Sequence, residues 1–108
     1  MSRCKYEKNN ITCFDNVNDF KLYFLIIHDF DENLSNEFDE LMIDTFEINT
    51  LQRKYNFCCE NDKLFIYDMF ENDVTIYNII NNHLSFDKIL QFKNFDDFLK
   101  NFKKCIAK

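Results

Sequence analysis

The sequence predicts an α+β fold: a single domain over residues 1–108, built as an antiparallel β-meander of three to five strands with about three helices packed on one face. Three observations predict it. The aromatic and β-branched runs Tyr55–Cys59, Lys63–Phe70 and Val74–Ile80 are separated by the short polar stretches Glu60-Asn61-Asp62 and Glu71-Asn72-Asp73, the pattern of consecutive hairpins. Two segments place an Asn just ahead of aromatic residues at helical spacing, the pattern of capped amphipathic helices. A chain of 108 residues with fourteen Phe and five Tyr can also fill one hydrophobic core without a disulfide or metal.

Taken in chain order, Lys5–Phe14 reads as a hairpin around Asn9-Asn10. The next segment admits two periods. Phe20, Leu22, Phe24 and Ile26 alternate as a strand would, whereas Phe20, Tyr23, Phe24 and Ile27 share one face of a helix. Asn16 as N-cap, with Asp19 at the third helical position, favours the helix. A further helix is expected over Asn36–Glu47, capped by Ser35, with Phe38, Leu41, Met42 and Thr45 facing inward. After the three meander strands, Leu84–Phe92 reads either as a fourth strand or as a lead-in to the last helix. That helix carries an apolar stripe of Phe95, Phe98, Leu99, Phe102 and Ile106, acids in its first turn and lysines toward its end. The segment Ile11–Phe20 is echoed by Ile89–Phe98, matching Phe14, Asn16, Asp19 and Phe20 with Phe92, Asn94, Asp97 and Phe98. Each copy reads as short strand, cap, helix.

Glycine and proline are absent, so Asn and Asp must supply the left-handed turn positions. Phe, Asn, Ile, Lys and Tyr make up 56 of the 108 residues, the bias expected of an AT-rich gene in a virus, phage, mobile island or bacterium. Five cysteines without CxxC spacing, a polar N-terminus and no apolar run longer than Leu22–Ile27 point to a reduced cytoplasmic protein without a secretory leader or membrane span.

The net charge of −6 is unevenly placed: residues 1–50 hold eleven acids and four bases, residues 51–108 eight acids and nine bases. Between Lys21 and Arg53 stand eight acids and no lysine or arginine. Glu37, Glu40, Asp44 and Glu47 fall three or four apart, one stripe on a helix, with Asp29, Asp31 and Glu32 as a flanking rim. Like charges at that spacing oppose a helix by roughly 0.2–0.5 kcal/mol per pair. A merely solvated face is the plain reading; a surface kept negative for a basic protein is the functional one. Direct nucleic-acid contact and anionic membranes are disfavoured as partners.

Catalytic and cofactor signals are weak. His28 or His83 with Cys58 or Cys59 could form a nucleophile–base pair, but neither histidine stands in a recognisable motif and the cysteines lie in an apolar strand. Metal binding lacks paired Cys or His ligands; Asp29, Asp31 and Asn33 alternate like the start of a calcium loop, yet Leu34 stands where its glycine is required. Without glycine no phosphate-cradling loop of the usual kind can be built. No cofactor, metal or catalytic residue is therefore expected.

The ending Phe92-Lys-Asn-Phe95-Asp-Asp-Phe98-Leu99-Lys-Asn-Phe102, following a meander, resembles the closing segment of the SUKH superfamily over about 15 of the 108 residues. The resemblance implies an immunity protein, of the kind that neutralises nuclease toxins in bacterial competition, including contact-dependent growth inhibition. The leading expectation is thus a non-enzymatic cytoplasmic inhibitor, monomeric or weakly dimeric, that binds a basic toxin through Glu37, Glu40, Asp44 and Glu47 with Asp29, Asp31 and Glu32 around them. The alternatives are a phage or viral inhibitor that mimics phosphates toward a host nucleic-acid enzyme, and a small hydrolase using carboxylates or a Cys–His pair.

Overall fold

Among the described residues, six strands join in sequence order into one antiparallel sheet: β1 (Lys5–Lys8), β2 (Ile11–Phe14), β3 (Tyr55–Glu60), β4 (Lys63–Asp68), β5 (Asp73–Ile80) and β6 (His83–Gln91). Helices α1 (Val17–Ile27) and α2 (Glu32–Ile48) are inserted between β2 and β3, and α3 (Phe95–Lys100) and α4 (Phe102–Ile106) follow β6. The computed structural model describes residues 5–8, 11–48, 54–60 and 62–106, with side chains at 7, 11–44, 54–60 and 62–105. The α+β meander is as expected. Its strand count exceeds the expected range because the N-terminal hairpin joins the sheet and Leu84–Phe92 is a full strand rather than a lead-in.

The helices do not share one face. Strands β3 and β4 are buried on both sides, so alternate residues feed two separate cores. Phe57, Leu64 and Ile66 pack with Phe20 and Phe24 of α1 and Leu34, Phe38 and Met42 of α2. Cys58, Phe65 and Tyr67 pack on the other side with Phe95, Phe98, Leu99, Phe102 and Cys105 of α3 and α4. The near-continuous apolar run Leu64–Tyr67 was the sign of this, since a strand with one solvated face would alternate.

The two echoed segments supply the centres of these cores. Phe20 stacks on Phe57 at 5.4 Å, and its counterpart Phe98 stacks on Tyr67 at 5.2 Å. Both caps form: Asn16 Oδ1 accepts from the Asn18 and Asp19 amides, and Asn94 Oδ1 accepts from the Asp97 amide. Residues 20–27 are therefore helix. The predicted final helix is broken at Asn101, whose side-chain amide donates to the Asp97 carbonyl at 2.8 Å and to its carboxylate at 3.1 Å.

Asn and Asp do supply most of the left-handed turn positions, at Asp29, Asp62, Asn72, Asn81 and Asn82. Asn81 and Asn82, both at positive φ, form the two-residue turn that joins β5 to β6. Helix α1 ends in a Schellman arrangement, with the Asp29 amide donating to Ile26 O and the Phe30 amide to Leu25 O at 2.7 Å. Phe30 itself sits at φ 53° with its ring exposed, a conformation that costs a bulky L-residue about 1–2 kcal/mol.

Replacing either ring at the core centres, Phe20→Ala or Phe98→Ala, should lower the unfolding free energy by about 3–5 kcal/mol in urea titrations, while the exposed Ile26→Ala stays within about 0.5 kcal/mol. Phe30→Asn should raise the melting temperature, by the equivalent of up to about 1 kcal/mol, because Asn tolerates the left-handed region better.

Candidate functional site

The acidic stripe lies on α2, which begins at Glu32, earlier than expected. Asp31 rather than Ser35 starts it: Asp31 Oδ1 accepts from the Leu34 amide at 2.9 Å, as an N-cap does. The buried face of the helix is the expected one, Phe38 and Met42 with Leu41 at its margin. Thr45 and Glu47 carry side chains outside the described residues. The segment that a calcium loop would need as loop is helical from Glu32 onward.

Two predicted site residues are engaged with the protein itself. Glu37 Oε1 accepts from the Leu84 amide of β6 at 2.7 Å, while its Oε2 meets His83 Nδ1 at 2.5 Å and accepts from Asn33 Nδ2 at 3.0 Å. Asn33 also donates to the Asn82 carbonyl at 2.6 Å, and Asn82 Nδ2 donates to Asp31 Oδ2 at 2.9 Å. These contacts fasten the start of α2 to the β5–β6 turn. The Leu84 amide, then His83, hold the Glu37 carboxyl below its ordinary range. The expectation of an outward-facing stripe is thus corrected at Asp31 and Glu37, since the tight β5–β6 turn brings hydrogen-bond donors against them. Asp39, off the stripe, is paired with Lys21 of α1 at 2.7 Å.

Beyond the fastening, α2 and the sheet leave a groove of about 560 Å³ lined by Asn33, Asn36, Glu37, Glu40, Leu41, Asp44, Tyr77 and Leu84. Glu40 and Asp44 are exposed on its wall, without a hydrogen bond or ion pair among the described residues. Tyr77 faces them from β5; burial and then the Asp44 charge push its hydroxyl up, which keeps it a neutral donor. Glu37, Glu40 and Asp44 are therefore brought together. Asp29 and Glu32 are exposed at the α1–α2 turn and the start of α2, outside the groove lining. Asn33, Tyr77 and Leu84 were missed by the sequence reading. Asn33 stands four residues before Glu37, which marks it as a helical neighbour, but nothing local ties residues 77 and 84 to α2.

A groove with two uncompensated carboxylates and amide side chains, with Leu41 and Leu84 in its lining, can receive a guanidinium or ammonium group. Of the candidate nucleophile–base pairs, Cys59 with His28 is partly assembled elsewhere, Cys59 Sγ lying 3.9 Å from His28 Nε2. Burial, then Glu60 and Asp62, push the Cys59 thiol up to about 12, the opposite of an activated thiolate. Cys58 faces the other core, 3.7 Å from Cys13, and its thiol is pushed well up by that contact and by burial. Cys13, Cys58, Cys59 and Cys105 are all free thiols. Among the described residues, no group of three or more His, Cys, Asp or Glu is placed to hold a metal, and no helix is long and apolar enough to cross a membrane.

Comparison with protein-family models, curated proteins and solved structures finds no match.

Because the Glu37 pKa is depressed in the folded state, its contribution to stability is present above the ordinary glutamate value of 4.5 and is lost as the pH falls through the native value. Glu37→Gln should therefore be less stable than wild type at pH 7, by about 1 kcal/mol for a weakened charge-assisted bond, with the gap closing in acid. Unfolding curves at several pH values read this; a gap that persists unchanged below the native value would remove the fastening role.

Proposed function

We propose that this chain is a small acidic inhibitor that acts by binding, an immunity protein whose α2 groove seats a basic segment of a nuclease-type toxin. The observation that carries the reading is the pair Glu40 and Asp44, exposed along one concave wall without a counter-ion among the described residues. A chain stabilising itself alone gains nothing from leaving them unpaired, when Lys21 already answers Asp39 on the same helix. Against a cationic partner the same carboxylates speed encounter and set register. The SUKH-like ending orders the possibilities toward bacterial immunity, and the free cysteines agree with a reducing cytoplasm.

Phosphate mimicry toward a host nucleic-acid enzyme uses the same surface, and a neighbouring toxin gene would separate the two settings. Binding is favoured over a Cys–His hydrolase because the Cys59 thiol is held protonated beside His28, the opposite of an activated nucleophile.

Charge reversal, Glu40→Lys with Asp44→Lys, should weaken binding to the native partner at least about 30-fold, roughly 2 kcal/mol, with little change in the unfolding midpoint. The partner is recovered from host extract on the immobilised protein with a salt gradient, and the double variant is the control column. Retention of the same protein on both columns at the same salt would remove the acidic groove from the account.

A further inference from the structure

We infer that the basic partner enters as an added β-strand along the outer edge of β6, with its cationic side chains turned toward Glu40 and Asp44. The inference rests on the binding reading above and specifies its geometry. Strand β6 ends the sheet order, so one of its edges has no neighbouring strand among the described residues. Which of its residues face outward follows from the ladder. The Ile79 amide donates to Asp62 O, so Ile79 and its alternates Tyr77, Thr75 and Asp73 turn their backbone groups toward β4. Their partners across β6, namely Leu84, Phe86, Ile89 and Gln91, then turn theirs away from the sheet.

One of these amides confirms the outward direction and is already used: Leu84 N donates to Glu37 of α2. The edge is thus open from Phe86 onward, directly beside the acidic helix. On the same side of the sheet, Phe86 and Ile89 are 57% and 56% exposed, and Phe86 packs edge-on against the groove residue Tyr77 at 5.9 Å. Edges are normally protected by outward charges or bulges. The bulge here, between the Phe86 and Lys88 pairings, turns Asp87 inward to Lys63 at 3.1 Å, and Lys88 pairs with Ile76, which belongs to the α3–α4 core. Neither charge guards the groove side. An extended segment with Lys or Arg at every other position fits this surface: backbone bonds to β6, the cationic side chains all on the groove side with their aliphatic stems over Phe86 and Ile89 and their charges at Glu40 and Asp44, and the apolar alternates on the opposite face.

The test uses the full chain and an eight-residue peptide of alternating lysine and valine, with octalysine as the comparison. Binding of the alternating peptide should slow amide exchange at Phe86, Ile89 and Gln91 at least tenfold in wild type and be at least tenfold tighter than octalysine. Ile89→Pro removes an outward donor without touching the β5–β6 ladder, and should weaken the peptide at least tenfold while the protein stays folded; if that variant unfolds, exchange in the wild type decides alone. Binding that falls with Glu40→Lys/Asp44→Lys but leaves the three amides unprotected overturns strand addition and spares the basic-partner reading. Failure of the alternating peptide to bind overturns strand addition, while native-partner recovery tests that reading separately. Binding indifferent to the charge reversal counts against both. Protection of the same amides that rises with protein concentration, without peptide, makes a second copy of the chain the occupant and overturns the proposal.

Discussion

Strands β3 and β4 have no solvated face. Leu64 and Ile66 look one way, Phe65 and Tyr67 the other, and all four are buried. A pleated strand points successive side chains to opposite sides, so a continuous apolar run can be covered only by two layers of helix. The chain meets this by placing α1 and α2 between β2 and β3, then closing the opposite face with α3 and α4. Coverage is deep over the middle strands and thins toward β6, which is left with exposed Phe86 and Ile89. The groove lies beside the point where the N-terminal half of α2 is fastened to β6 and its turn through Asn33 and Glu37.

The acids of α2 and its approach have distinct fates, and geometry separates them. Asp31 caps the helix, Glu37 anchors it to β6, and Asp39 answers Lys21. Each of these carboxylates meets a donor that the fold brings to it. Glu40 and Asp44 meet none among the described residues. Negative charge that costs helix stability locally is thus partly offset by the fastening at Glu37, and of what is left over Glu40 and Asp44 stand along one wall of the groove. The proposed function is a statement about that remainder rather than about net charge.

The glycine-free composition constrains the connections without preventing them. Asn81-Asn82 makes the same left-handed turn that Asn-Gly would, and Asn72 does so after the Asp68 side chain has accepted from the Phe70 and Glu71 amides. The α1–α2 reversal is the exception: Phe30 takes a left-handed conformation that an amide or glycine would hold with less strain. Cys13, Cys58, Cys59 and Cys105 sit inside this frame as packing groups, the Cys13 contact and burial holding the Cys58 thiol up and burial the Cys59 thiol.

Local chemistry was enough to read the α+β class, the meander runs, both Asn caps and the left-handed Asn and Asp positions, because hairpins and caps are decided within a few neighbouring residues. It was enough, too, to gather Glu37, Glu40 and Asp44 on one helical stripe. The apolar run Leu64–Tyr67 is the mark of a strand covered on both faces, but which helices cover each side of β3 and β4 is decided only in the folded chain. Nor could local chemistry separate fastened acids from unpaired ones: the donors to Glu37 lie at residues 83 and 84, some 46 positions away, and only the folded sheet brings them within bonding distance.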